Sequence, residues 1–378
     1  MAERMQYLSK ARKIVINIGS SLLTDEKKRR IQRGFLRRLA AQVRHFQDQG
    51  IQTVIVTSGA IAAGLYELGL AKRPVEIAKL QALAAIGQSN LMHAYKAAFQ
   101  GSRLKVAQIL LTGEDFSSRQ RYGNARNTLT ELFHHKIVPV INENDTVAVE
   151  EIKFGNNDTL GALVTHLSEA DLLVLLTDTD GLFEEDPKLN PKAKLVLDVH
   201  EFSKDIEKTA TRARSGVGTG GMATKVQTAK SMMRSGIPMV IANGKTRNVL
   251  ERILAGDKIG TFFFPSEDRM AGRKKWLAWS VKPKGEVIVD GGAKSAILEK
   301  NKSLLPTGIV KVSGHWVKGD IVKIVGQNGE EIARGVINYS SADLDLIKGL
   351  KTTEIISRLG SKSADEAVHK DNLVKTET

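Results

Sequence analysis

Four stretches rich in glycine, serine, asparagine and aspartate stand where chemistry on an anion could be done. They are Gly19-Ser20-Ser21, Ser58-Gly59-Ala60, "INENDTV" (141–147) with the nearby "FGNNDTL" (154–160), and "GTGGMATK" (218–225). Small residues let backbone N–H groups approach a phosphate or carboxylate, and a helix opening there adds the positive end of its dipole. The last stretch carries Lys225 and the third carries Asp145, Asn157 and Asp158. Such a set suits a phosphate-handling site, where charge on the phosphate must be met by cations and N–H groups. All eight histidines fall outside these stretches. Taken singly, Ser58, Asp145 and Asp158 would pass for cap or turn residues, and "GTGG" for a tight loop. Neither a Walker A motif nor a dinucleotide fingerprint is present, because "GSSLLTDEKK" and "GTGGMATK" lack the spacing. The ordered set, not any one member, points to a site.

These stretches need a scaffold that holds them on one edge. Short apolar runs at 13–18, 52–57, 104–111, 136–141, 171–177, 237–242 and 260–264 read as strands. They lack alternation, as expected of strands buried on both faces of a parallel sheet. Helical patterns fall between them. The first carries Ile31, Phe35, Leu39, Val43 and Phe46, with Gly50 just past its end, and others cover 75–100, 117–135, 157–169 and 221–235. The expectation is a three-layer α/β sandwich with a mainly parallel sheet, whose ligands sit at the carboxyl ends of the strands. A protruding hairpin is expected over 147–155. After about residue 280 the pattern changes to short strands with Gly turns, "QNGE" among them, which predicts a small β-barrel-like domain. The expected division is 1–264, a basic linker over 265–280, a second domain over 281–360 and a polar, frayed tail over 361–378.

Composition narrows the class. The 378 residues carry a net charge of +14 and no cysteine, so anionic partners are favoured and disulfide or thiolate-metal chemistry is excluded. Residues 281–378 hold 15 lysines and arginines against 13 acidic residues, so the excess lies on the first 280. No apolar run suits a membrane span, and "MAERMQYLSKARK" lacks the core of a secretory signal, so the expected location is cytoplasmic.

"IGSSLL", "VTSGAIAAG", "VPVINENDTV", "IKFGNNDTL", "LLTDTDGLFEEDP" and "GTGGMATK", in this order and spacing, resemble the amino acid kinase superfamily and, within it, the glutamate 5-kinase family. "GEVIVDGGAKSAIL" and "SLLPTGIVKVSGHWVKGDIV" resemble a PUA domain, the usual companion in that family. The resemblance implies ATP-dependent phosphorylation of the L-glutamate γ-carboxylate, the first step of proline synthesis. It implies that Ser58, Gly59, Asp145 and Asn157 hold glutamate, and that Gly19 and Ser20 form the turn beside the moving phosphoryl group. Thr177 and Asp178 would lie by the nucleotide, with Thr219, Gly220, Gly221, Met222, Ala223, Thr224 and Lys225 as its glycine-rich loop. Asp158 would position the active-site lysines, and Mg²⁺ would be held by ATP phosphates rather than by an assigned side chain. Proline as feedback inhibitor and a homodimer or homotetramer are further implications. The rival reading is a catalytically weak or dead homologue with a regulatory or RNA-binding role through the PUA domain, although the small local charge of that domain does not support RNA binding. Trp316 and Tyr339 are expected in packing rather than on bases.

One catalytic position departs from the family. The family has Lys-x-Gly-Ser/Thr where this chain has Asn17-Ile18-Gly19-Ser20. Lys13 shares the strand's parity but stands about 13 Å back, at ~3.3 Å per residue, too far to replace the missing ammonium. Three readings follow: slower turnover on Lys225 and Mg²⁺, a catalytically inactive relative that still binds its ligands, or another lysine, such as Lys27 or Lys28, reaching in. The favoured expectation is intact binding with impaired transfer. Aspartate and N-acetylglutamate remain alternative substrates.

Overall fold

The computed structural model describes residues 2–25, 27–147, 157–187, 189–202, 221–266, 283–360 and 364–376. The chain divides into two compact units, Met1–Thr112 with Asn124–Arg269, and Gly113–Gly123 with Met270–Thr378. The hairpin expected over 147–155 and the linker expected over 265–280 fall almost wholly outside the described residues, as do Thr219 and Gly220.

The apolar run "KIVINI" forms β1 (Lys13–Ile18), with every residue after Lys13 buried. It is an inner strand of an eight-stranded sheet. On one side of β1 lie β4 (Gln52–Val56), β6 (Val138–Glu143) and β5 (Val106–Leu111). On the other lie β7 (Leu172–Thr177), β9 (Met239–Asn243), β10 (Thr261–Phe263) and β8 (Asp198–Val199). The pairings from β5 across to β9 are all parallel, and β10 alone turns antiparallel to its neighbour β9. The chain leaves β1 toward β4 and later returns to its other flank as β7. The carboxyl end of β1 therefore marks a reversal of strand order, where such sheets bind ligands.

Two local expectations change. Gly19-Ser20-Ser21 does not form a simple turn: Gly19 is the extended N-cap of a single helical turn, α2 (Ser20–Leu23). Ile31 is not on the following helix but in a short hairpin of β2 (Thr24–Asp25) with β3 (Arg30–Ile31). The amphipathic helix α3 (Arg33–Asp48) begins after it and buries Phe35, Leu39, Val43 and Phe46.

Helices α4 (Ala60–Glu67) and α5 (Ile77–Gly101) approach to backbone contact at two glycines. A Cβ on Gly87 would lie 1.8 Å from the carbonyl oxygen of Ala60, and one on Gly64 would lie 2.0 Å from that of Leu83. Backbone cannot yield as a side chain does, so Gly87→Ala must pry the helices apart. We expect a loss of roughly 2 kcal/mol or more, read as a lower denaturant midpoint for the larger unit. This contact fixes α5 against the first turn of α4, whose N-cap Gly59 adopts φ +95°, a region that favours glycine.

The smaller unit holds a five-stranded sheet, ordered β12 (Ile309–Gly314), β11 (Gly285–Val289), β13 (Ile321–Gly326), β14 (Glu331–Val336) and β15 (Leu373–Lys375). The frayed tail expected over 361–378 does not hold for its described part. Strand β15 pairs antiparallel with β14, and Val368 bridges to Leu304. Ala367, Val368, Leu373 and Val374 are buried, so four apolar residues anchor an otherwise polar segment. Trp316 and Tyr339 are buried in this core, as expected. Among the described residues no helix is long and apolar enough to cross a membrane.

Candidate active site

Asn17, the next-to-last residue of β1, is 2% exposed, and its Nδ2 donates to Asp158 Oδ1 at 3.1 Å. A carboxylate only accepts, so the amide nitrogen must face it, leaving Asn17 Oδ1 buried without a hydrogen-bond partner. Asp158 opens α8 (Asn157–Leu167) and faces β1 because the helix packs closely there. A Cβ on Gly161 would lie 3.3 Å from Asn17 Cβ and Cγ, so glycine clears the lane for that side chain. The second oxygen, Asp158 Oδ2, accepts from Lys225 Nζ at 3.0 Å and lies 3.2 Å from Thr224 Oγ1, whose single hydrogen is shared with the Gly221 carbonyl at 2.7 Å. Both donors lie in the first turn of α9 (Met222–Arg234), whose N-cap is Gly221 and which also carries Met222 and Ala223. Donors from β1 and α9 thus converge on one carboxylate of α8, and the charges of Asp158 and Lys225 cancel.

Ser58 and Asn157 form a second cluster beside it. The two hydrogens of Asn157 Nδ2 go to Ser58 Oγ at 2.6 Å and to the Thr57 carbonyl, and Asn142 Oδ1 shares one of them at 3.3 Å. Because Ser58 Oγ accepts here, its own hydroxyl hydrogen remains to be donated elsewhere, as a carboxylate ligand requires. Asp145 lies in the turn just after β6, three residues beyond Asn142. Asn157 and Asp158 are adjacent, so the two clusters share the start of α8.

Beyond β1, Thr177 closes β7, and its Oγ1 donates to Asp178 Oδ1 at 3.2 Å. The Gly19 N–H donates to the Leu176 carbonyl at 3.0 Å, and that of Gly244 to the Thr177 carbonyl at 2.8 Å. The end of β1 thus stands between the Ser58 cluster and the Thr177 edge.

No described lysine along β1 supplies the ammonium that the resemblance implies at position 17. Lys13 Nζ donates to the Ser168 carbonyl at 2.6 Å and lies 4.8 Å from the Phe133 ring centre, at the opposite end of the strand. Burial holds its pKa below the ordinary lysine value. Lys27 and Lys28 are exposed in the β2–β3 turn. Among the described residues no group of three His, Cys, Asp or Glu side chains is placed to hold a metal.

Sequence reasoning missed two residues of the Ser58 cluster. Asn142 stands in the quoted "INENDTV" stretch, inside β6 near its carboxyl end, but is not singled out there. Gln88 lies mid-helix in α5, and its Oε1 accepts from Asn142 Nδ2 at 2.9 Å. No local pattern marks it, because its partner is 54 positions away.

Residues 12–243 match the amino acid kinase family, and residues 285–359 match the PUA domain. The chain is 50% identical over 365 residues to a glutamate 5-kinase of Caldanaerobacter subterraneus subsp. tengcongensis, covering 97% of this chain and 98% of that one. It is 46% identical over 371 residues to a glutamate 5-kinase of Pelobacter propionicus, covering 98% and 99%. A glutamate 5-kinase of Geobacter sulfurreducens is also 46% identical over 371 residues, with the same coverage. With a family match across most of the larger unit and end-to-end relatives of this identity, the chain belongs to the amino acid kinase family, in its glutamate 5-kinase group.

Proposed function

We propose that the protein transfers the γ-phosphoryl group of ATP to the γ-carboxylate of L-glutamate. A carboxylate oxygen attacks phosphorus, the bond to the bridging oxygen breaks, and ADP leaves with the electron pair, giving γ-glutamyl phosphate. The observation that carries this is Asp158, which holds Asn17, Thr224 and Lys225 on one carboxylate between the Ser58–Asn157 cluster and the Thr177 edge. Ser58 and Asn157, with Gly59 and Asp145, take the amino acid. Gly19, Ser20, Thr177, Asp178 and the glycine-rich segment that runs into the first turn of α9 at Lys225 take the nucleotide. Lys225 offsets charge on the moving group, and N–H groups at the starts of α2 and α9 assist. Both oxygens of Asp158 are engaged by protein donors, so Mg²⁺ fits as a partner of the ATP phosphates, whose charge it reduces. The relatives' shared activity supports a place in proline synthesis in the cytoplasm. Family membership supports proline as feedback inhibitor and a homodimer or homotetramer.

Asn17 lowers turnover in this reading, because an amide supplies a donor without charge. An ADP-release assay with Mg-ATP tests the proposal, run with glutamate, aspartate and N-acetylglutamate in parallel. Hydroxylamine trapping of the acyl phosphate gives an independent readout. ADP release no faster with glutamate than without it, or equal with aspartate, overturns the assignment.

A further inference from the structure

The proposed glutamate pocket is backed by a helix that no motif marks. We infer that Gln88 of α5 is a positioning residue for glutamate, acting through Asn142 on Asn157. The inference rests on the function proposed above and adds a residue to its site.

The polarity of this chain of amides is fixed at one end. The Thr57 carbonyl can only accept, so Asn157 must turn its Nδ2 toward it, which the hydrogen bond between them satisfies. Asn142 must then turn Oδ1, not a second NH₂, toward Asn157 Nδ2, where it shares a hydrogen at 3.3 Å, and its own Nδ2 is left facing α5. Gln88 meets that donor with Oε1 at 2.9 Å. Asn142 is 3% exposed, so without Gln88 its Nδ2 would be a buried donor lacking a partner, free to rotate away from Asn157. On the far side of the relay, Asn157 keeps its Oδ1 as an acceptor and Ser58 keeps its hydroxyl hydrogen as a donor. That pairing matches an amino acid, which brings an ammonium and carboxylates.

Gln88 itself gains little from the arrangement. It is 9% exposed, and its Nε2 is buried with no partner. A residue kept only for packing would be served better by an apolar side chain of the same length, since an unmet buried donor is a cost. The same face of α5 holds Tyr95, two turns on, whose hydroxyl is 2.9 Å from Thr57 Oγ1. Burial pushes the Tyr95 pKa up, so its hydroxyl stays neutral. Helix α5 therefore grips both Asn142 and Thr57, the two supports of Asn157. It is itself fixed against α4 at Gly64 and Gly87.

The test is Gln88→Met in the full chain, assayed for the KM of glutamate and of ATP, for kcat and for the melting temperature. The expected result is a glutamate KM raised about tenfold, the worth of one hydrogen bond. The ATP KM and kcat stay within about twofold. Melting changes little, because one buried unmet donor is exchanged for another. In an Asn142→Ala background the same substitution is expected to add less than about twofold to the glutamate KM, because the relay is already cut. An unchanged glutamate KM, equal rises in both KM values, or full additivity with Asn142→Ala overturns the inference. If Gln88→Met does not fold, Gln88→Glu retains an acceptor opposite Asn142. A glutamate KM for it raised more than about tenfold counts against the relay. A wild-type protein that neither binds glutamate by calorimetry nor phosphorylates it overturns the functional proposal, and the inference with it. A wild type that does both, beside an unaffected Gln88→Met, overturns the inference alone.

Discussion

Asn17→Lys is expected to raise kcat about a hundredfold with little change in the glutamate KM. Asn17 Nδ2 already donates to Asp158 Oδ1, so an ammonium entering there meets a carboxylate poised to receive it. At present Asp158 and Lys225 cancel in charge; a lysine at 17 would leave the group with one net positive charge at the proposed place of transfer. A cationic or N–H donor aimed at a developing charge is worth roughly 10²–10³ in rate. The lane past Gly161 that admits Asn17 Cβ and Cγ also admits the first part of a lysine side chain. In the proposed site glutamate is held by Ser58 and Asn157, away from the Asp158–Lys225 pair, so its KM should stay within about twofold. Asn17→Met is the control: it is uncharged and should not raise kcat. An Asn17→Lys protein with wild-type turnover would show that the missing charge does not limit transfer.

Lys225→Met is expected to lower kcat by about 10²–10³-fold, the largest loss of any single substitution in the site. Its Nζ meets Asp158 Oδ2 at 3.0 Å, with side-chain exposures of 12% and 9%, so this charge is only weakly screened by water. The loss should fall on kcat rather than on either KM, since the charge matters most when the phosphoryl is in transit. Asp158 keeps the donors of Asn17 and Thr224, which limits the damage to folding. Breaking a pair this buried still costs stability, by up to about 3 kcal/mol, readable as a lower melting temperature. A variant that melts normally and keeps wild-type kcat would remove Lys225 from the mechanism.

Much of the fold was legible because it is written in local runs. "KIVINI", "DLLVLLT" and the like become inner strands, and the helices start and stop within a few residues of the expected bounds. Misreadings have specific causes. Ile31 has the right spacing for the α3 face, but pairing of β3 with β2 takes it first. The tail looked polar overall, yet Ala367, Val368, Leu373 and Val374 suffice to seat it on β14. The antiparallel turn of β10 leaves no mark in "GTFFF", since strand direction depends on the path of the chain and not on the strand's composition.

For the site, the sequence by itself determined the inventory: the small-residue turns, Ser58, Asn157, Asp158, Lys225, and the asparagine at 17, where the resemblance implies a lysine. Those are residue identities, and the chemistry they permit follows from their functional groups alone. Only the tertiary structure decided which of them meet. Asn17 and Asp158 are 141 positions apart, and Asp158 and Lys225 are 67 apart. They join because β1 lies between β4 and β7, with α8 and α9 converging at its end. Gln88 entered the same way, a mid-helix amide given meaning by Asn142. Proximity is a property of strand order and helix packing, set by the burial of the whole core, and no local pattern encodes it.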